Sequence, residues 1–316
     1  MIRFLQHDSI DKVQWDICIS LAINGNLYAN SWFLDIVCPG WCALVEDNYE
    51  TVFPLPIFAK VGIKYLRQPY FTQQLGVFFQ SPLPTGKLDE FLQHIPSDFR
   101  YIFIYLNSSN LIPGLAPESE MTNLELDLSK EYEKIASGYQ TNLQRNLKKA
   151  SQNNLSISKN VSSDEIIAMF RANKGQDLKH MDESHYMLIK RIAEVSMLKG
   201  MGEIRGAMDG KSELVAAILW VTSHRKAIFL FSAVTQSGKQ LNAMPWLIDE
   251  FIKDNAGNPL TLDFEGSTDA GLARFYRSFG AIKVIYQRYS SNTLPRILQS
   301  AMKIWQLSRR QIKKII

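Results

Sequence analysis

Hydrophobic positions change their spacing several times along the chain, and each change marks an element. Residues 2–6 alternate as a short strand, and from Ser9 onward Ile10, Val13, Ile17 and Leu21 recur at helical spacing until Asn24-Gly25 ends the run. A short aromatic helix is expected around Trp32, Phe33 and Leu34. A hairpin follows, in which residues 41–46 return as residues 51–57 across Asp47-Asn48. Pro54 and Pro56 donate no amide hydrogen, so the returning strand belongs at an edge or near its own end. Residues 65–79 mix bulky aromatics with three glutamines and read as strand, tight turn, strand. A helix near residues 88–95 and an apolar strand at 101–106 complete an α/β unit, after which Pro113, Gly114 and Pro117 interrupt the chain.

Beyond that break, residues 132–153 are helical, and their later part is polar and basic, as a connector between two halves would be. A strand at 155–161 leads into a helix capped by Ser162 or Ser163, with Asp164 and Glu165 in its first turn. A second helix spans 183–199. Three strands at 202–208, 214–222 and 227–234 then form a meander. The loop 235–243 opens a helix at 245–255, and a strand at 260–264, a helix at 270–279 and a strand at 282–289 close the unit.

A length of 316 residues is long for one compact α/β domain and comfortable for two. With 46% hydrophobic and 11% aromatic residues the chain can bury a sizeable core, which sets it apart from disordered sequences. The 35 basic and 31 acidic residues nearly cancel to a net charge of +4, so only local clusters can argue for an anionic partner. Cys18, Cys38 and Cys42 lack the paired spacing of a metal site and read as reduced thiols. Asp8, Asp11 and Lys12 interrupt what a secretory signal would keep apolar, and no uncharged apolar run of spanning length occurs, so a cytoplasmic protein is expected.

Two acidic residues stand out chemically. Asp263 and Glu265 sit at alternate positions near a strand end, where both can face one side and take a proton from an attacking amine, with Glu265 the preferred general base. Capping of the next helix, or pairing with Arg274, is the plain structural alternative. Gly266 belongs to a tight strand-to-helix turn, and Phe275 and Phe279, four apart, belong to the core. Tyr276 can act through its hydroxyl or simply pack. In the first half, Gln68, Tyr70, Gln73 and Gln74 can grip an acceptor or form an internal hydrogen-bond network. His180 and His185 have no third ligand nearby, so no metal is expected. The tail 294–316 places Leu294, Ile297, Leu298, Met302, Trp305 and Ile312 at helical spacing among basic residues, as a helix lying on an anionic membrane or docked on the body would.

The segment from Asp263 to Ser267, followed by Gly271 to Ala281, resembles the matching strand and helix of Fem-like peptidoglycan bridge transferases. The basic helix 139–150 is similar to the segment that leads into their second domain, and the element order over 155–290 resembles the GNAT acyltransferase fold. The resemblance implies an α+β chain of two GNAT-like (acyl-CoA N-acyltransferase fold) domains in tandem, at 1–130 and 131–316, each a mixed, mostly antiparallel sheet flanked by helices. It implies acyl or aminoacyl transfer to an amine acceptor, such as a cell-envelope precursor, with aminoacyl-tRNA as a donor that Arg145, Lys148 and Lys149 would suit. An acyl-CoA donor would instead need a pyrophosphate loop. Gln236, Gly238 and Lys239 fall in that loop, although a plain turn residue is the favoured reading of Gly238. A catalytically inactive binding module of the same fold is the third reading. Bridge-forming enzymes carry Phe-Lys-x-x-Phe on the closing helix, whereas here Tyr276 occupies the lysine position.

Overall fold

The computed structural model describes residues 1–60, 62–178, 181–266 and 269–295. The expectations for His180 and for the tail helix past residue 295 lie outside them. Among the described residues the chain divides into two compact units, one comprising 1–122 and 284–295, the other 123–283. The division places residues 284–295 with unit 1, whereas the domains expected from the sequence are 1–130 and 131–316.

Unit 1 is built from β1 (Ile2–Leu5), α1 (Lys12–Leu21), α2 (Ser31–Val37), β2 (Cys42–Glu46), β3 (Thr51–Leu55), β4 (Ile57–Lys60), β5 (Ile63–Arg67), β6 (Phe78–Phe79), α3 (Lys87–Gln93) and β7 (Tyr101–Leu106). Strands β1, β2, β3 and β6 form one antiparallel sheet in that order. Strand β6 reaches only Thr51 and Val52, so Pro54 sits where no second neighbour asks for its missing amide hydrogen. Strand β5 pairs antiparallel with β4 and parallel with β7. Leu66, Ile102, Ile104 and Leu106 turn one face of these strands onto the core with Phe53, Phe79 and Phe91. In α1 the buried residues are Trp15, Cys18 and Ile19, while Val13, Ile17 and Leu21, the stripe that announced the helix, are 70%, 47% and 60% exposed. Spacing locates the helix, but the buried stripe is a different one. All three cysteines are buried free thiols.

Strand β8 (Glu120–Asp127), not expected from the sequence, begins at the end of the first segment of unit 1 and continues into unit 2. The expected single connector helix is two, α4 (Tyr132–Ala136) and α5 (Thr141–Ala150). Next come β9 (Ser156–Ser158), α6 (Ser163–Ala172), α7 (Glu183–Leu198), β10 (Gly202–Met208), β11 (Leu214–Ser223), β12 (Lys226–Val234), α8 (Gln236–Gln240), α9 (Ala243–Asn255), β13 (Thr261–Asp263) and α10 (Ala270–Arg277). The connector breaks because Tyr139 turns inward, its hydroxyl 2.9 Å from Asp249 Oδ1 on α9, with the Tyr132 hydroxyl 3.0 Å from the same oxygen. Burial, reinforced by Asp249, pushes the Tyr132 phenol up to about 12, so it stays a donor.

The sheet runs β8, β13, β12, β11, β10, β9; every neighbouring pair is antiparallel except β12 with β13. Trp220 stacks on Phe251 at 4.0 Å where α9 covers the sheet. Ser162, one of the two expected caps, caps α6 and forms a capping box with Glu165. Strand β14 (Ile282–Asn292) carries the chain out of unit 2, and its later residues pair antiparallel with β7 in unit 1. That return explains the division of the chain, because ladder pairing rather than sequence proximity assigns β14.

Candidate functional site

The site lies where the two parallel strands of unit 2 part. Strands β12 and β13 are in register for three pairs only, Lys226 with Thr261, Ala227 with Leu262 and Ile228 with Asp263. Strand β13 then ends, while β12 continues to Val234 beside β11. The chain leaves β13 through Glu265 at φ 57° and Gly266 at φ 59°. Glycine adopts that left-handed geometry freely, whereas Glu265 needs local support. Asp263 supplies it, because its Oδ1 accepts the Glu265 N–H at 2.8 Å. The two acids are therefore not alternate residues of one strand, as the pleat argument had assumed. Neither caps the next helix, since Asp269 does so through the N–H groups of Gly271 and Leu272.

Asp263 is 3% exposed and stands directly across from Glu125 on β8. Lys226 Nζ lies 2.6 Å from Glu125 Oε1 and 3.8 Å from Asp263 Oδ2, and Asn123 Nδ2 donates to Glu125 Oε1 at 3.0 Å. Two carboxyl groups thus share one ammonium. Burial pushes the Asp263 carboxyl up to about 6; Lys226 pulls against that shift and Glu125 adds to it. A carboxyl group poised there exchanges its proton near neutral pH, which is the behaviour expected of a functional site.

Sequence reasoning found Asp263 and missed Glu125, Lys226 and Asn123. The missed signal was the alternation of Leu124, Leu126 and Leu128, which marks β8 as a half-buried strand once the prolines before it are passed.

Tyr276, on α10, is buried and stacked on Phe264 with ring centroids 4.7 Å apart. Burial, with nearby Glu265 adding to it, raises its phenol well above the ordinary value, so the hydroxyl keeps its proton beside that carboxyl group. Phe275 and Phe279 are 5.4 Å apart, and Phe279 is fully buried in the core. Arg274 is exposed. The structure brings together Asp263, Glu265 and Tyr276.

The other expected residues lie elsewhere. Gln68, Tyr70, Gln73 and Gln74 belong to unit 1. Gln68 accepts from the Tyr105 N–H and donates to the Thr72 carbonyl, both at 3.0 Å, and Gln74 accepts from Ser108 N–H at 3.2 Å and donates to Gln73 Oε1 at 2.7 Å. Arg145, Lys148 and Lys149 are exposed on α5. Gln236, Gly238 and Lys239 form α8, where the Gly238 N–H donates to Thr235 Oγ1 at 3.0 Å. A Cβ at Gly238 would meet the Val215 carbonyl oxygen at 2.2 Å, so the glycine is there for close approach to β11. His185 Nδ1 lies 2.8 Å from Asp182 at the start of α7. Among the described residues, no group of three or more His, Cys, Asp or Glu could hold a metal ion, and no helix is long and apolar enough to cross a membrane.

No family model and no curated protein matches the chain. Its fold does match solved structures. FemX aligns with a TM-score of 0.66 at 12% identity, covering 94% of this chain and 98% of FemX. A conserved protein of unknown function from Bacteroides thetaiotaomicron aligns with a TM-score of 0.59 at 11% identity, covering 93% of this chain and 100% of its own. The C-terminal domain of a putative lysylphosphatidylglycerol synthetase from Agrobacterium fabrum aligns with a TM-score of 0.55 at 8% identity, covering 94% and 95%. The Fem-like resemblance read from the sequence holds at the level of the fold.

Proposed function

We propose that the chain transfers an acyl or aminoacyl group to an amine acceptor, with the reaction at the open end of β13. Glu265, partly exposed at the strand end, accepts a proton from the acceptor amine as its nitrogen bonds to the donor carbonyl. The donor's carbon–oxygen or carbon–sulfur bond breaks in turn, and the leaving alcohol or thiol takes up a proton. Asp263 is a positioning residue, since its bond to the Glu265 amide holds the left-handed turn. The observation that carries this reading is the Asp263, Glu125 and Lys226 cluster beneath that turn, with a carboxyl group moved up to about 6.

The fold supports the chemistry by analogy. One structural neighbour is named as a putative lysylphosphatidylglycerol synthetase, so aminoacyl transfer is compatible with this architecture. We read units 1 and 2 as a tandem of GNAT-like domains and the acceptor as a cell-envelope precursor. Aminoacyl-tRNA is the preferred donor because α5 offers Arg145, Lys148 and Lys149 to phosphates, while the Gly238 amide that a coenzyme A pyrophosphate would need is engaged by Thr235.

The test is an intact-mass assay on amine-bearing envelope precursors, using the full chain with aminoacyl-tRNA in one arm and acetyl-CoA in the other. A mass shift on an acceptor is expected, falling about a hundredfold or more in rate for Glu265→Gln. Binding without any mass shift in either arm would make the protein an inactive module of the same fold.

A further inference from the structure

The apolar stripe of α1 faces away from the core of unit 1. Val13, Ile17 and Leu21 are 70%, 47% and 60% exposed, and Ile23, just past the helix end, is 63% exposed. A spacing of four residues sets the first three in one row along the helix. Contacts on the inner face fix the helix in that orientation. The Trp15 ring packs on Trp41 with centroids 4.7 Å apart, and its indole N–H donates to the Ala29 carbonyl at 2.8 Å. Asp11 caps the helix through the N–H groups of Val13 and Gln14.

The row itself carries no charge. Lys12 Nζ lies 2.8 Å from Asp35 Oδ2, and Asp16 accepts the Ser31 N–H at 2.8 Å and the Ser31 hydroxyl at 2.6 Å, so the charges flanking the row are engaged within the chain. Ser20 turns its hydroxyl back to the Ile17 carbonyl at 2.8 Å. A helix that lies on an anionic membrane sets Lys and Arg beside its apolar face, whereas α1 holds Lys12 alone, already paired with Asp35. A charged partner would likewise meet no counter-charge on the row. Another neutral row of aliphatic side chains is what matches it.

The row is symmetric about its centre, because Ile17 has an aliphatic residue four positions away on either side. A twofold axis through Ile17 therefore packs two copies of α1 antiparallel, with Val13 of each chain against Leu21 of the other. At these exposures the four side chains bare roughly 400 Å² per chain, about half of what a standard interface buries on each partner and in keeping with a weak, reversible pair.

We infer that the exposed face of α1 is an interaction surface for a second copy of this chain, joined antiparallel about Ile17. It rests on nothing proposed for unit 2.

Sedimentation velocity on the full chain tests it from about 10 µM to about 1 mM, where a weak interface associates. A monomer that becomes a dimer as concentration rises is expected. Ile17→Glu sets two carboxylates together at the axis and should weaken the dimer about tenfold or more. Val13→Lys and Leu21→Glu should each weaken it severalfold, but combined in one chain they place opposite charges across the axis and should recover most of the loss. Such recovery also shows that the single variants fold. A chain that stays monomeric throughout, or a dimer untouched by Ile17→Glu, overturns the inference. So does a monomer that co-sediments with phosphatidylglycerol vesicles through these same residues, which would give the stripe to a membrane. A double variant no better than either single one overturns the antiparallel pairing.

Discussion

Unit 1 and unit 2 both bury polar side chains, but they use them in opposite ways. In unit 1 the buried network around Val77 and Tyr105 is made of amides. Asn110 is 1% exposed, accepts the Val77 N–H at 2.6 Å and donates to the Val77 carbonyl at 3.1 Å, while Asn24 donates to the same carbonyl and accepts from the Phe79 N–H. Gln68 and Gln74 do the same for Tyr105, Thr72 and Ser108. These amides pair backbone groups in and around β6 and β7, a structural task that leaves the net charge untouched. In unit 2 the buried groups are ionisable, two carboxyl groups around one ammonium, and proton affinity is displaced as a result. A closed web of neutral amides supports a fold; an unbalanced ionic cluster at a strand end supports chemistry.

The largest effect expected from this contrast is in unit 1. Asn110→Ala leaves the Val77 N–H unpaired in a buried setting, with only Asn24 still serving the Val77 carbonyl, and is expected to cost about 4 kcal/mol in urea unfolding. A loss under about 1 kcal/mol would mean the amide web is not what holds that segment.

The next concerns Asp263, whose carboxyl moves from an ordinary 3.8 up to about 6 on folding. Because the folded group binds its proton more tightly than the unfolded one, its contribution favours folding below pH about 4 and is lost as pH rises through about 6. On the order of 3 kcal/mol of pH-dependent stability is expected over that window, and the corresponding slope should vanish in Asp263→Asn. Equal slopes in the two proteins, measured by denaturation at stepped pH, would remove the cluster from consideration as a proton-handling site.

The smallest effect sharpens the cluster itself. Lys226→Met removes the one cation that opposes burial, so the Asp263 carboxyl should rise further, by about one pH unit. Carbon-13 titration of the side-chain carboxyl reads this directly, and an unmoved midpoint would show that Lys226 does not act on Asp263.

Much of this architecture was legible in the sequence. The meander from Gly202 to Val234, the serine cap of α6 and the closing strand, helix and strand appear within a few residues of their expected positions, because local periodicity and caps fix them. So was Asp263, read from the segment that also carries the Fem-like resemblance. Other features depend on partners far along the chain. Which stripe of α1 is buried, that Tyr139 breaks the connector to reach Asp249, and that β14 pairs with β7 are set by contacts no local window contains.

The candidate site follows the same division. The sequence supplied an acid at the end of β13 and a glycine for the turn beside it. Tertiary structure set Glu125 across from that acid, reached Lys226 between the two, and withdrew water from Asp263. Residue identity fixes an ordinary proton affinity, but its displacement comes from desolvation and neighbouring charge, which exist only once distant strands are paired.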